Sequence, residues 1–455
     1  MSAPELRFHS GVFTALQVSD TQDLQYVRRT MLWMLNKAYD RVKPDLILLT
    51  GDNTLGNHFR DAMPVVSHLY VNSKEREYSA MRKALAYVLE PIARRRIPFA
   101  MIYGNHDDMN EITKEEQAEI YRDYPGCVGL DNPDKTVDVD TYNIPVYAED
   151  GSRVAFNLWM LDSAWTDHEA RRGRCEVKPE TVAWYDKTCK ALAEENGGKP
   201  VPAILFQHVP LPDTLRLIEP CEKKRGAVCE KGVYYRLKPD VEGTLGEYPS
   251  VCDTDAGLFE AIKLNGDVKA VVFGHDHLNC FEGRLDGVDF IQTASASFRC
   301  YGSPLRGARV FRLYEDGRYE TEHLSYFELC GKNPASALRY LWDADDVWKQ
   351  KAVVLGALGL TAAAGTAAAM RGTFTDPRII SITLSALRQQ SPAKPENAIA
   401  NIPAVTSAIG VPSIALGGEA SSSFSRMLAK SSSARENPTP EKHPKIVASK
   451  TLLPL

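Results

Sequence analysis

Gly266-Asp-Val-Lys-Ala-Val-Val-Phe-Gly-His-Asp-His277 is the stretch on which the fold turns. Val268 to Phe273 is a short, mostly apolar, Val-rich run with the length of a buried strand. It stops at Gly274, and two imidazoles follow at once, His275 and His277. The strands of an α/β sheet share one carboxyl edge, where sites form at loop crossings, so polar side chains placed just after a buried strand are well sited for chemistry.

The same arrangement recurs elsewhere. Val12 to Val18 reads as a strand, with Asp20 and Gln22 after it. Asp45 to Thr50 is a second buried strand, then Gly51 and Asp52. Pro98 to Tyr103 is a third, before Gly104, Asn105 and His106, and Pro202 to Phe206 precedes His208. Val154 to Leu161 reads as a further strand. Apolar spacing predicts helices over Leu24 to Tyr39, Tyr78 to Arg95, Pro179 to Glu194 and Gly257 to Leu264. Strands alternating with helices of this length imply an α/β fold with βαβ units and a mainly parallel sheet. Phe281 to Tyr326 is punctuated by Gly287, Gly302 and Gly317, and is expected to form antiparallel strands closing a second sheet. Leu211 to Val251 is polar and rich in Gly and Pro, an insertion over one face.

Five strand ends can thus bring carboxylate, amide and imidazole groups to one place. Such donors suit manganese, iron or zinc without any thiolate. A central Asp52 could bridge two ions. Two ions about 3.5–4 Å apart clamp the attacking and leaving oxygens of an in-line displacement at phosphorus and lower the pKa of a bound water. Any one Gly-Asp or Gly-His pair is a weak signal; five such groups, each after a strand, are a strong one. Gly51, Gly104 and Gly274 are expected to permit the sharp turns that expose the residues after them. His58, His68 and His168 fall outside the pattern and are read as surface or loop residues. Trp159, Trp165 and Trp184 are read as core, and Arg94-Arg-Arg96 as a helix end where cations suit the dipole.

These motifs resemble those of the calcineurin-like metallophosphoesterases. Within that superfamily, Phe206-Gln-His-Val-Pro-Leu-Pro212 and Gly266 to His277 are similar to the purple-acid-phosphatase-29/Dcr2-like branch and its bacterial relatives. The resemblance runs from about Phe13 to Tyr326. It implies a four-layer α/β/β/α sandwich with a dinuclear metal site at the sheet edge. By motif, Asp20, Gln22, Asp52 and His277 would hold one ion, and Asp52, Asn105, His208 and His275 the other. His106 would contact the phosphoryl group and act as acid toward the leaving oxygen, with Asp107 as its orienting partner. The superfamily usually has Asp-x-His where this chain has Asp20-Thr-Gln22. A glutamine is a weaker ligand than imidazole, so the first ion is expected to be more labile, or to be manganese in preference to zinc. Leu55 stands where true purple acid phosphatases carry an iron-ligating tyrosine, so no purple Fe(III) centre is expected. Manganese is the first expectation for both ions, with iron or zinc as the others.

Composition sets the remaining bounds. The chain has 455 residues, 44% hydrophobic and 25% charged, with a net charge of −5. Those fractions belong to a globular protein with a sizeable core. From Arg371 onward there are ten Lys/Arg against five Asp/Glu, so the first 370 residues carry −10. An acidic catalytic part argues against a nuclease or other nucleic-acid partner, and leaves a phosphate ester as the expected substrate. The nine cysteines lie between Cys127 and Cys330 without a C-x-x-C pair, and are read as buried free thiols of a reducing compartment. Cys221, Cys229 and Cys252 are the candidates for pairing or metal binding. The expected organisation is a catalytic domain over 1–330, a connecting helix over 331–351, a candidate transmembrane helix over 352–370 and a disordered tail over 371–455. The 352–370 segment has 19 uncharged residues, but eight are Ala and three Gly. The tail holds 13 Ser and 9 Pro and too few apolar residues to offset its ordering entropy. No apolar run follows the charged start, so the catalytic part is expected in the cytoplasm, anchored to a membrane if 352–370 spans one. The reading from a different class is a membrane-anchored, non-catalytic scaffold on the same fold.

Overall fold

Two mixed sheets lie face to face in the computed structural model, which describes residues 5–56, 73–167, 172–223 and 226–345. The larger has eight strands in the order Leu6–Arg7, Tyr142–Tyr147, Val154–Leu161, Ala203–Gln207, Val268–Phe273, Val288–Gln292, Cys280–Leu285, Glu242–Thr244. The smaller has five, in the order Tyr319–Ser325, Gly307–Tyr314, Val12–Val18, Leu46–Thr50, Phe99–Ile102. Val12–Val18, Leu46–Thr50 and Phe99–Ile102 run parallel, as do Val154–Leu161, Ala203–Gln207 and Val268–Phe273.

Side-chain alternation makes this a four-layer sandwich, since successive residues of a strand face opposite sides. Ile204, Phe206, Ala270, Val272 and Ile291 join the large core shared with the five-stranded sheet. Their neighbours Ala203, Leu205, Val271, Phe273 and Phe290 point the other way, into a second core. That second core is covered by Trp184 and Tyr185 of helix Pro179–Glu195 and by Leu258, Phe259 and Ile262 of helix Leu258–Asn265. Helices Arg29–Val42 and Ser73–Arg94 bury Met31, Met34, Leu35, Met81 and Leu85 in the first core. Across the middle, the rings of Phe206 and Phe311 meet edge to face at 5.4 Å.

Three expectations change. The strands between Phe281 and Tyr326 do not close one separate sheet. Cys280–Leu285 and Val288–Gln292 extend the large sheet, and Gly307–Tyr314 and Tyr319–Ser325 extend the small one, antiparallel to Val12–Val18. The chain crosses between sheets over 293–306, where Thr293 Oγ1 donates to Gln17 Oε1 and Ala296 N to Ser19 O. The first helix begins at Arg29, not Leu24. The Asp23 carboxylate accepts from the backbone N–H groups of Leu24 and Arg28, which holds 23–28 in a loop, while Leu24 is still buried and so imitates a helical position. Helix Lys114–Arg122 forms outside the four helices that apolar spacing predicts. Thr113 and Glu116 form a capping box at its start, a signal present in the sequence as Thr-x-x-Glu.

The insertion forms a three-stranded antiparallel sheet of Ile218–Cys221, Val233–Leu237 and Val228–Glu230, and lends Glu242–Thr244 to the edge of the large sheet. Helix Pro334–Asp343, with Asn333 as its cap, lies within the expected connector. Among the described residues no helix is long and apolar enough to cross a membrane. The 352–370 segment and the 371–455 tail lie outside the described residues, as do His58, His68 and His168.

Candidate metal centre

The parallel strands of both sheets end on the same side. Their loops are stitched together by main-chain bonds: Asp20 N donates to Gly51 O, Gln22 N to Asp52 O, and Gly274 N to His208 O. Four candidate ligands sit in the left-handed backbone region, Asp20 at φ 54, Gln22 at φ 28, Asp52 at φ 47 and His275 at φ 69. Side chains other than glycine adopt this region at a cost, and such strain gathers at functional sites.

All three glycines before the ligands allow close approach, and a Cβ at Gly51 would lie 2.4 Å from His208 Nδ1. Gly51 also has φ +90 and is a true turn glycine. Gly104 and Gly274 have no such φ; they are needed for close approach alone. A Cβ at Gly104 would lie 2.2 Å from Asp52 Oδ1, and one at Gly274 would lie 1.8 Å from Ser19 Oγ and 2.8 Å from Asp20 Oδ2. The expectation of three sharp turns is therefore corrected at two positions.

Two clusters share Asp52. Ligand atoms of Asp52, His208 and His275 lie within 4.8 Å of one another, and so do those of Asp20, Asp52 and His277. Gln22 Nε2 donates to Asp52 Oδ2 at 3.1 Å, so its amide belongs to the same group. Asn105 sits on the loop whose next backbone N–H, that of His106, donates to Asp52 Oδ1 at 2.8 Å.

The histidines are set for metal. His208 Nδ1 lies 3.0 Å from Thr50 O, and His277 Nδ1 lies 2.9 Å from Tyr301 O. A carbonyl oxygen only accepts, so each Nδ1 carries a proton, which leaves Nε2 as the nitrogen that can ligate once it is deprotonated. Those Nε2 atoms face carboxylates, His208 at 3.4 Å from Asp52 Oδ2 and His277 at 3.3 Å from Asp20 Oδ1. Asp20 Oδ1, Gln22 Oε1, Asn105 Oδ1, His106 Nδ1, His208 Nε2 and His275 Nδ1 are buried atoms without a hydrogen-bond partner. Unpaired buried polar atoms are costly, and Asp20, His208 and His275 belong to the two clusters around Asp52. With oxygen and imidazole donors and no thiolate, the residues fit a pair of divalent cations.

Electrostatics agrees. Burial raises the Asp20 and Asp52 carboxyls, but the surrounding imidazoles, His208 foremost, with His277 at Asp20 and His106 and His275 at Asp52, together outweigh it and hold both below the usual range. Burial opposes charge on His208, yet the Asp52 and Asp20 carboxylates lift it to about 10. His275 falls to about 4 through burial and its neighbour His208. Without metal, a proton on His208 neutralises part of the anionic cluster; a cation bound there takes over that task and releases the proton.

The Asp107 carboxylate is buried and pushed to about 7 by burial and by Asp52. Its oxygens accept from the backbone N–H groups of Asn53, Thr54 and Gly104 and from Thr54 Oγ1. It ties the Asp52 loop to the Asn105 loop, and its hydrogen-bond partners do not include the His106 ring that it was expected to orient. The His106 side chain instead lines a cleft of about 520 Å³, together with Gln22, Asp52 and His275.

Sequence reasoning missed the far wall of this cleft: Glu247, Tyr248 and Ser250 from the end of the insertion, and Cys300 and Tyr301 from the crossing between the sheets. These residues follow no apolar run, and only the Tyr248–Tyr301 pair of aromatics in polar loops hints at them. The thiols do not pair. All nine cysteines are free, and only four of them are buried. Cys221 and Cys229 both stand opposite Tyr234, on strands either side of it. Two strand spacings, roughly 9–10 Å, separate their backbones, beyond disulfide reach.

The chain is 26% identical over 318 residues to the "probable inactive purple acid phosphatase 29" of Arabidopsis thaliana, covering 66% of this chain and 72% of that protein. It is 26% identical over 275 residues to the phosphatase DCR2 of Saccharomyces cerevisiae, covering 59% of this chain and 41% of that protein. A solved dimetal phosphatase from Danio rerio aligns over 69% of this chain and 96% of its own, at 12% identity and a TM-score of 0.40. The calcineurin-like phosphoesterase model matches residues 13–279, more than half of the chain, and takes in every one of the candidate ligands. The chain belongs to the calcineurin-like phosphoesterase family.

Proposed function

We propose that the protein hydrolyses phosphomonoesters or phosphodiesters with two divalent ions, manganese first among them. The observation that carries this reading is the pair of ligand clusters that share Asp52, one with His208 and His275 and one with Asp20 and His277. Asp20, Gln22, Asp52 and His277 would hold one ion, and Asp52, Asn105, His208 and His275 the other. When bound, such a pair polarises the phosphoryl oxygens and lowers the pKa of a water between them.

The chain's own residues supply the rest. His106 stands in the cleft with its backbone fixed by Asp52, and gives a proton to the leaving oxygen. Asp107 keeps the two loops that carry Asp52 and His106 in register. The strain at Asp20, Gln22, Asp52 and His275 is held by the surrounding sheets, so the donors are arranged before the ions arrive. A scaffold on a decayed site would have lost donors. Here the one departure from the usual pattern, Gln22, still offers an amide oxygen.

The test is hydrolysis of an aryl phosphate monoester and diester by the purified full chain. Chelation should abolish turnover and Mn²⁺ should restore it. Turnover that survives complete metal removal would overturn the mechanism.

A further inference from the structure

We propose that Glu247 and Tyr301 are positioning residues for His277, and that the 211–251 insertion is thereby part of the metal centre. The inference rests on the reading of His277 as a metal ligand.

A ligating imidazole must aim one lone pair, so something has to stop its ring from turning. Tyr301 does this twice. Its carbonyl accepts from His277 Nδ1 at 2.9 Å, and its ring stacks on the imidazole with centroids 4.3 Å apart and planes 12° from parallel. Yet Tyr301 is 48% exposed, so core packing does not hold it. Its hydroxyl donates to Glu247 Oε2 at 3.0 Å, and the other oxygen of that carboxylate accepts from Leu278 N at 2.8 Å. One carboxylate therefore fixes both the ring lying on His277 and the backbone that leaves it.

Glu247 is itself held in place. Asn279 Oδ1 accepts from Gly246 N at 2.9 Å and from Glu247 N at 3.1 Å, and Asp276 Oδ1 accepts from Ser250 N at 3.1 Å. At Gly246 a Cβ would lie 2.5 Å from Leu278 O, so the two loops touch backbone to backbone. The end of the insertion is bolted to the very loop that carries His275 and His277.

Outer partners of metal-bound imidazoles are typically worth about 10–100-fold in metal affinity. The experiment is a calorimetric Mn²⁺ titration of the metal-free full chain, run on wild type, Tyr301→Ala, Tyr301→Phe and Glu247→Gln, with circular dichroism and a melting curve for each. Wild type should bind two ions. Tyr301→Ala should weaken one of them by about 10-fold or more and leave the other unchanged. Tyr301→Phe keeps the stack and loses the hydroxyl, so it should weaken the same ion by a smaller factor. Glu247→Gln replaces the charged acceptor of the Tyr301 hydroxyl by a neutral amide, so it should weaken the same ion by a smaller factor, as Tyr301→Phe does; affinities unchanged in both would overturn the role of Glu247. A lower melting point in Tyr301→Ala with both affinities unchanged would mean a merely structural role and overturn the proposal. If Tyr301→Ala does not fold, Tyr301→Phe decides: unchanged affinities overturn the proposal, and a selective loss at one ion supports it. Wild type that binds no ion would instead overturn the metal reading itself.

Discussion

Asp52 is the residue on which most of the site converges: it belongs to both ligand clusters, takes an N–H from His106 and one from Gln22, and faces His208. Asp52→Asn should therefore cost both ions, whereas Gln22→Ala should weaken one, because water can stand in for a neutral amide. His106→Ala should keep two ions and lower turnover about 10²–10⁴-fold, the range for loss of a general acid. Metal analysis beside turnover for the three variants checks this, and loss of both ions in His106→Ala would make His106 a ligand. The Asp and His residues that cluster around Asp52 were legible in the sequence as candidate ligands because each follows a buried strand, and the sheet edge does the gathering. Asp107 was misread because its neighbour in sequence, His106, suggested a partner, while its carboxylate turns back to the Asn53 and Thr54 amides. The role of Tyr301 was not legible, beyond its being an aromatic in a polar loop. Tyr301 acts through a main-chain carbonyl and a stacked ring, and neither leaves a mark in spacing.

Between elements, the decisive quantity is how closely the strand ends approach. At Gly274 an added methyl would overlap Ser19 Oγ and press on Asp20, so Gly274→Ala should displace the loop that carries Asp20. Strain of this kind costs on the order of 1–3 kcal/mol. We expect a folded protein by circular dichroism that has lost its turnover; full turnover would show that the loops yield without harm. A second test lies on the strand pair Gly307–Tyr314 and Tyr319–Ser325, far in sequence from every ligand. There His323 faces Arg309 across the ladder, and its Nε2–H donates to Leu305 O at 2.6 Å. Burial and the Arg309 guanidinium push His323 down to about 4. The unfolded chain takes up this proton near pH 6.5, and the fold refuses it until about pH 4. The stability from a neutral His323 is thus present above about pH 6.5 and lost as pH falls toward 4. His323→Gln should flatten that part of the curve when chelated wild type and variant are compared by urea midpoint from pH 7 to 4; equal slopes would sink the idea. Element types were largely legible from periodicity, but sheet membership was not. Nothing in Phe281 to Tyr326 tells that two strands join one sheet and two the other, because antiparallel neighbours look alike in sequence.

On the scale of the whole molecule, the thiols report on packing. The nine cysteines were read as buried, but they divide by environment. Burial pushes the thiols of Cys127, Cys175, Cys189 and Cys300 up to about 12, that of Cys330 to about 11, and those of Cys252 and Cys280 upward as well. A thiol at such values is almost wholly protonated at neutral pH, and the protonated form is a poor nucleophile. Cys229 is exposed and Cys221 half-buried, both on the small insertion sheet. The sequence could place them in an insertion, but their separation across Val233–Leu237 depends on strand register, which only the folded sheet defines. In the native protein, alkylation at pH 7.5, a value chosen about one unit below the free thiol pKa, should label Cys229 fast and Cys221 next. The other seven should react at speed only after denaturation. Since no thiol belongs to the proposed ligand set, the fast-labelled protein should keep its metal and its turnover. Mass spectrometry of the labelled chain, read beside metal content, decides the matter. Fast labelling of Cys300, on the cleft wall, would show that the loop carrying Tyr301 opens far more readily than its bonds to Glu247 and His277 imply.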